Sequence, residues 1–258
     1  KVPYIAVPTT SGTGSEATKN AVLSRVGVNG FKKSLRHDNL VPDIALVDPV
    51  LTINCPPKLT AACGMDAFTQ LLEAYVSDNA SPFTDSLAFE ALHYVKDSLL
   101  TAYHKADDVD ARSGMAYASL ISGICLANAG LGVVHGFSSA IGGYFHIPHG
   151  VVCGTLMGSS TRMNIEKLIR TNPEHIALKK YAKVGRLFAL NKDGDDMYYA
   201  RNLAEMIEKW VLDLNIPRLG EFGVKEEDFE RIISRTSNKN NPVKLDREEM
   251  RQILAERV

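Results

Sequence analysis

The first fifty residues alternate short apolar runs with polar turns. Residues 3 to 8 read as a buried strand and "AVLSRV" (21 to 26) as a second, while "DIALVDP" (43 to 49) is a third, short strand that ends in a proline turn. Past residue 50 the apolar period becomes that of helices. "PPKLTAACGMDAFTQLLEAYVS" opens with prolines that suit a first helical turn, and Leu59, Phe68, Leu71, Leu72 and Tyr75 then recur at helical spacing. "SPFTDSLAFEALHYVKDSLLTAY" repeats the design with Ser81 as its N-cap. "DDVDARSGMAYASLISGICLANAGLG" is a third helix, rich in small residues, expected at the centre of the core and ending at Gly130 or Gly132. "VVHGFSSAIGGYF" and "HGVVCGTLMGSSTRMN" follow as two helical segments split at Pro148, and amphipathic helices are expected near 173 to 190, 196 to 214, 225 to 236 and 246 to 257.

The layout is therefore mainly α: a few strands, then an all-helical remainder, with the boundary placed between residues 52 and 53. Three strands alone form a marginal sheet. The chain also opens on Lys1 without an initiator Met, inside a strand pattern. Further strands are expected upstream or from a partner.

Composition narrows the function classes. The 258 residues are 45% hydrophobic and 23% charged, with a net charge of −1 and no long run of one sign. Nucleic acid is thus not expected as a main partner, because phosphate binding needs a concentrated basic surface. No apolar run reaches the length of a membrane span, and no signal pattern opens the chain. Cys55, Cys63, Cys125 and Cys153 are scattered without a CxxC pair. They read as free thiols of a reducing cytoplasm, and a zinc site built from them is not expected.

Three segments carry candidate chemistry. In "GMDAFTQLLEAY", Asp66 and Gln70 are four apart and share a helix face, with Glu73 on the same side. A carboxylate in an apolar helix requires a partner or a metal. Asp66 reads either as a cap or salt-bridge residue or as a ligand. "GLGVVHGFSSAIGGYFHIPHG" holds His135, His146 and His149. His135 and His149 read as core histidines or, with Asp66, as the imidazole and carboxylate set of a divalent metal. They converge only if the chain folds back at Gly142, Gly143 and Pro148. His146, like His37, His93, His104 and His175, reads as a surface or packing residue. In "PTTSGTGSEATKN" (8 to 20), Thr9, Thr10 and Thr13 offer hydroxyls while Gly12 and Gly14 permit close backbone approach. This is a polar turn or a nucleotide contact.

Taken together, "PTTSGTGSEAT", "LVPDIALVDP", "CGMDAFTQLLEAYVS" and "GLGVVHGFSSAIGGYFHIPHG", in that order and spacing, resemble the iron-containing (group III) alcohol dehydrogenases. The resemblance is strongest up to about residue 160. It implies a dehydroquinate synthase-like fold in which an α/β dinucleotide-binding domain precedes an all-helical metal domain. Residues 1 to 52 would be the last strands of the first domain and residues 53 to 258 the whole of the second. The family's upstream glycine-rich pyrophosphate loop is not in this sequence, so these residues by themselves are not expected to transfer hydride.

The resemblance further implies NAD or NADP as cofactor, with Thr9, Thr10, Thr13, Thr18 and Lys32 as its contacts, Lys32 being preferred over Lys33. It implies a divalent metal, Fe2+ first and Zn2+ second, on Asp66, His135, His149 and Gln70. Gln70 departs from the family's histidine, and Ser139 departs from another histidine that many relatives carry. Asp66, His135 and His149 would be the catalytic set, acting on a small-molecule alcohol or aldehyde in a cytoplasmic homo-oligomer, a dimer. Two alternatives stay open: a zinc polyol dehydrogenase or dehydroquinate synthase-type lyase, and a non-catalytic helical domain with a degraded metal site.

Overall fold

The computed structural model describes residues 2 to 190 and 193 to 258. Its described strands form two separate pairs. β1 (Ile5–Ala6) runs parallel to β4 (Ile44–Ala45), with Ile5 opposite Ile44. β2 (Asn20–Arg25) runs antiparallel to β3 (Phe31–Arg36), with Asn20 opposite Arg36 and Arg25 opposite Phe31. Two expectations need correction. The first strand is much shorter than its apolar run, and the first two are not buried: Ile5 is 57% exposed and Leu23 58%, and Ile44 beside Ile5 is 54% exposed. A parallel pair is normally covered on both faces, and here the described residues leave it uncovered. The second correction is β3, whose "FKKSLR" pattern hides a strand behind three basic residues.

The helices follow the sequence reading closely. α1 (Pro57–Val76) begins at a proline. α2 (Pro82–His104) is capped by Ser81, which accepts from Thr84 N and closes a capping box with it. α3 (Val109–Ala129) ends at Gly130, where φ is 70°. α4 (Val133–Tyr144) leaves α3 at 97°. α5 (His149–Thr171) starts directly after Pro148. α6 (Ile176–Phe188), α7 (Asp196–Asp213), α8 (Phe229–Ile233) and α9 (Arg247–Ala255) complete the bundle. The helix expected near 225 to 236 is only a 3₁₀ turn at Glu226–Asp228 followed by the five residues of α8. Its capping carboxylate, Asp228, ties back to Lys225 N and leaves little chain before Ser234.

α1 is the hub. It packs on α2, α3 and α5, and Met65, Phe68 and Leu71 are wholly buried there. Each such side chain contributes about 1.5–3 kcal/mol of transfer free energy. Leu59, in the first turn, is 41% exposed and stands outside this core. Small residues set the spacing: a Cβ on Gly64 would lie 2.2 Å from Leu99 Cδ1, so α1 and α2 approach closely only because this position is glycine. The entry to α1 is pinned by Arg112 of α3, a buried guanidinium that donates to Ala106 O, Thr60 Oγ1 and Cys55 O. Among the described residues no single helix is long and apolar enough to cross a membrane.

Candidate metal centre

Asp66 lies in the middle of α1, where it cannot be an N-cap, and it is 2% exposed. A buried carboxylate left alone costs several kcal/mol, so its neighbours decide its role. His135 Nε2 lies 3.3 Å and His149 Nε2 3.5 Å from Asp66 Oδ1. The first histidine sits in the opening turn of α4, the second is the first residue of α5, and the fold-back between them brings the ring centroids to 5.4 Å. Gln70, one turn along α1, favours the charged form of the Asp66 carboxylate, while its own Oε1 accepts from Ser122 Oγ at 3.3 Å. The structure therefore brings Asp66, His135 and His149 together and places Gln70 against Asp66.

Both imidazoles are held from behind. His135 Nδ1 is 2.7 Å from Glu73 Oε2, and the other Glu73 oxygen accepts from Val134 N at 2.7 Å. His149 Nδ1 meets Ser138 Oγ and lies 3.0 Å from Lys32 Nζ, whose stem runs against Gly142. With Nδ1 occupied, each Nε2 faces the shared centre, the arrangement by which outer partners aim metal-binding histidines. Cys153 joins them, its Sγ 3.7 Å from His135 Nε2 and 3.8 Å from His149 Nε2. Among the described residues, Asp66, His135, His149 and Cys153 each offer one donor atom, all within 4.8 Å of one another. Neither Cys153 nor Ser138 was expected from sequence. The signal for Cys153 was its place four residues after His149, one turn along the same helix.

The charges are mutually dependent. Burial would raise the Asp66 carboxyl, but His149, His135 and Gln70 outweigh it and hold it at about 2. Burial opposes charging His135, yet Cys153, Asp66 and Glu73 raise it well above the usual imidazole value; His149 is raised in the same way by Cys153 and Asp66. The Cys153 thiol, which burial alone would push up, is drawn down by the two imidazoles. Lys32 is lowered, chiefly by burial. Positive charge is thus favoured at the point where the four donors meet, which is the electrostatic requirement of a cation site. One carboxylate and two imidazoles whose Nε2 atoms converge also match the donor chemistry of a divalent transition metal.

The opening turn packs beside this centre on α1 and α3. A Cβ on Gly12 would lie 2.9 Å from Cys63 Cβ, and one on Gly14, where φ is +58°, 2.3 Å from Ser119 O. These glycines let the backbone seat on the helices. Thr9 and Thr13 remain exposed, with Thr13 Oγ1 accepting from Ser15 N. Thr10 is half-buried and favours the Cys63 thiolate, against the burial that pushes that thiol up to about 12. Thr18 is buried, and its hydroxyl is engaged with Ser15 O and Asn20 N. Glu16, at 6% exposure, was not expected as a buried group. Ser139 is exposed and donates to His135 O, and His146 is exposed.

Comparison with known proteins adds independent findings. Residues 60–258 match the family described as Fe-containing alcohol dehydrogenase, C-terminal, and residues 1–49 match iron-containing alcohol dehydrogenase. A long-chain-alcohol dehydrogenase 1 of Geobacillus thermodenitrificans is 38% identical over 90% of this chain and 56% of its own length. An NADPH-dependent butanol dehydrogenase of Clostridium saccharobutylicum is 33% identical over 98% of this chain and 64% of its own length. A crystal structure of 1,3-propanediol oxidoreductase superposes on 99% of the chain with a TM-score of 0.89 at 34% identity, and 66% of that chain is covered. The chain spans between 56% and 64% of these two curated relatives. On the match over residues 60–258, with mainly helical architecture and a carboxylate–imidazole cluster in the same region, the chain belongs to the iron-containing alcohol dehydrogenase family.

Proposed function

We propose that the chain forms the metal-binding part of an NAD(P)-linked alcohol dehydrogenase or aldehyde reductase. The observation that carries this reading is the convergence of His135 Nε2 and His149 Nε2 on Asp66 Oδ1, at 3.3 and 3.5 Å, with both Nδ1 atoms engaged from behind. Bound there, a divalent cation would act as a Lewis acid toward the alcohol or carbonyl oxygen, and the hydride chemistry would be the nicotinamide's. The residues of this chain do the rest. Asp66 supplies the anionic donor, in the charged form that Gln70 favours, and Glu73 keeps the His135 ring aimed at the centre. Lys32 stands at the same centre from β3.

Thr9, Thr10 and Thr13 on the opening turn are read as the cofactor side of the cleft, Thr18 as their internal brace, and residues 1–52 as the part of a nucleotide-binding domain that adjoins a helical domain of residues 53–258. The exposed apolar strip on β1 and β4 supports a larger sheet there. The names of the relatives, butanol and long-chain-alcohol dehydrogenases, support a small-molecule alcohol or aldehyde as substrate without fixing its chain length. Four free thiols suit a reducing cytoplasm, and a dimer is the expected assembly. The preserved convergence of three donors argues against a degraded site.

The test is metal analysis of the natural protein together with NAD(P)H oxidation on an aldehyde panel. A bound divalent metal, loss of activity on chelation and recovery with Fe2+ or Zn2+ are expected. Aldehyde reduction that persists after complete metal removal would overturn the reading.

A further inference from the structure

We propose that Cys153 is a fourth donor, binding as thiolate to the cation held by Asp66, His135 and His149. The inference rests on the metal-centre reading above and adds a ligand to it.

The spacing carries the argument. For bonds of about 2.3 Å to sulfur and about 2.0–2.2 Å to nitrogen and oxygen, a tetrahedral site sets sulfur about 3.6 Å from nitrogen and nitrogen about 3.4 Å from oxygen. Cys153 Sγ lies 3.7 and 3.8 Å from the two Nε2 atoms, and these lie 3.3 and 3.5 Å from Asp66 Oδ1. Four of the distances among the donors therefore already match a tetrahedral site, and all four donors lie within 4.8 Å of one another. The surroundings agree. Cys153 is 0% exposed, yet its sulfur faces two imidazole nitrogens, whereas Cys125, equally buried, faces the backbone carbonyl of Thr84 on a neighbouring helix. His149 and Cys153 occupy successive turns of α5, so one helix presents both to the centre. Gln70 Oε1 is engaged by Ser122 Oγ at 3.3 Å, whereas the Cys153 sulfur is turned to the two imidazoles.

Coordination deprotonates the thiol, and that proton leaves to solvent. A soft thiolate biases the site toward zinc or cobalt relative to an all-imidazole-and-carboxylate set. The natural protein, stripped of metal and titrated with Co2+, reads this directly. Stoichiometric Co2+ is expected to give visible ligand-field bands of a tetrahedral site together with a near-ultraviolet sulfur-to-cobalt charge-transfer band. Cys63→Ser is expected to keep both, and Cys153→Ser to lose the charge-transfer band while retaining the visible bands. X-ray absorption of the zinc-loaded parent, independent of any variant's folding, is expected to show one sulfur at about 2.3 Å. Visible bands with neither the charge-transfer band nor a sulfur shell would overturn the thiolate and leave the metal centre standing. Absence of the visible bands would remove the centre itself and the proposal with it. Persistence of the charge-transfer band in Cys153→Ser would also overturn it.

Discussion

Glu73 touches none of the reacting atoms in the reading above, but it fixes the His135 ring. Its two oxygens hold His135 Nδ1 and Val134 N, so the side chain ties α1 to the first turn of α4. Glu73→Gln keeps the shape and removes the charge. We expect divalent-metal affinity to fall about 10–100-fold, measured by competition with a coloured chelator, with an unchanged far-ultraviolet circular dichroism spectrum. Unchanged affinity would show that His135 is held by packing alone. Glu16 makes a different prediction. Burial raises its pKa above the ordinary carboxylate value. The folded state thus holds the proton more tightly than the unfolded chain. The corresponding stability is fully present below the unfolded pKa and is lost as pH rises through the raised folded value. Glu16→Gln is expected to flatten that decline, read as melting temperature against pH for the two proteins. A parallel decline in both would place the titration elsewhere.

At the scale of elements, the helices were readable because their ends carry chemical punctuation. Pro57, Ser81, Gly130 and Pro148 mark boundaries that the structure places within a residue or so of the expected positions. Strands had no such marks. β3 carries Lys32, Lys33 and Arg36, so its alternation is masked, and β1 and β2 looked buried because an apolar run says nothing about what covers it. Asp66, His135 and His149 could be picked from residue type and resemblance, and the fold-back that joins them was allowed by Gly142, Gly143 and Pro148. Cys153 could not be picked that way, since a cysteine in an apolar helix has the same local pattern whether it faces lipophilic side chains or two imidazoles. The seating of the opening turn was equally invisible, because it depends on a tertiary pair of glycines. A Cβ on Gly123 of α3 would lie 2.1 Å from Gly14 O. Gly123→Ala is expected to destabilise the fold by about 1–3 kcal/mol in urea denaturation and to speed proteolysis between residues 8 and 18. Unaltered stability would mean that the turn shifts aside without cost.

Over the whole molecule, burial is unevenly distributed. The helices α1 to α5 carry most of the fully buried side chains, while the first fifty residues expose Val2, Leu23, Leu35 and Ile44. Local opening follows such differences in packing. Limited proteolysis is therefore expected to cut within residues 1 to 50 before it cuts elsewhere, with fragments identified by mass spectrometry. Early cleavage between 110 and 150 would contradict the central placement of α3 and α4.

The dispersal of the donors along the chain also has a temporal meaning. Asp66, His135 and His149 come from three helices that must dock before their atoms meet. Bringing them together costs loop-closure entropy, which grows with the length of intervening chain. His149 and Cys153 alone are neighbours within one helical turn. A nascent peptide that has formed only the start of α5 can offer a cation this pair and nothing more, so tight capture has to wait for the bundle. Loading would then be a late event, limited by the docking of α1 against α4 and α5, and a cell short of metal would accumulate protein that is already folded and merely empty.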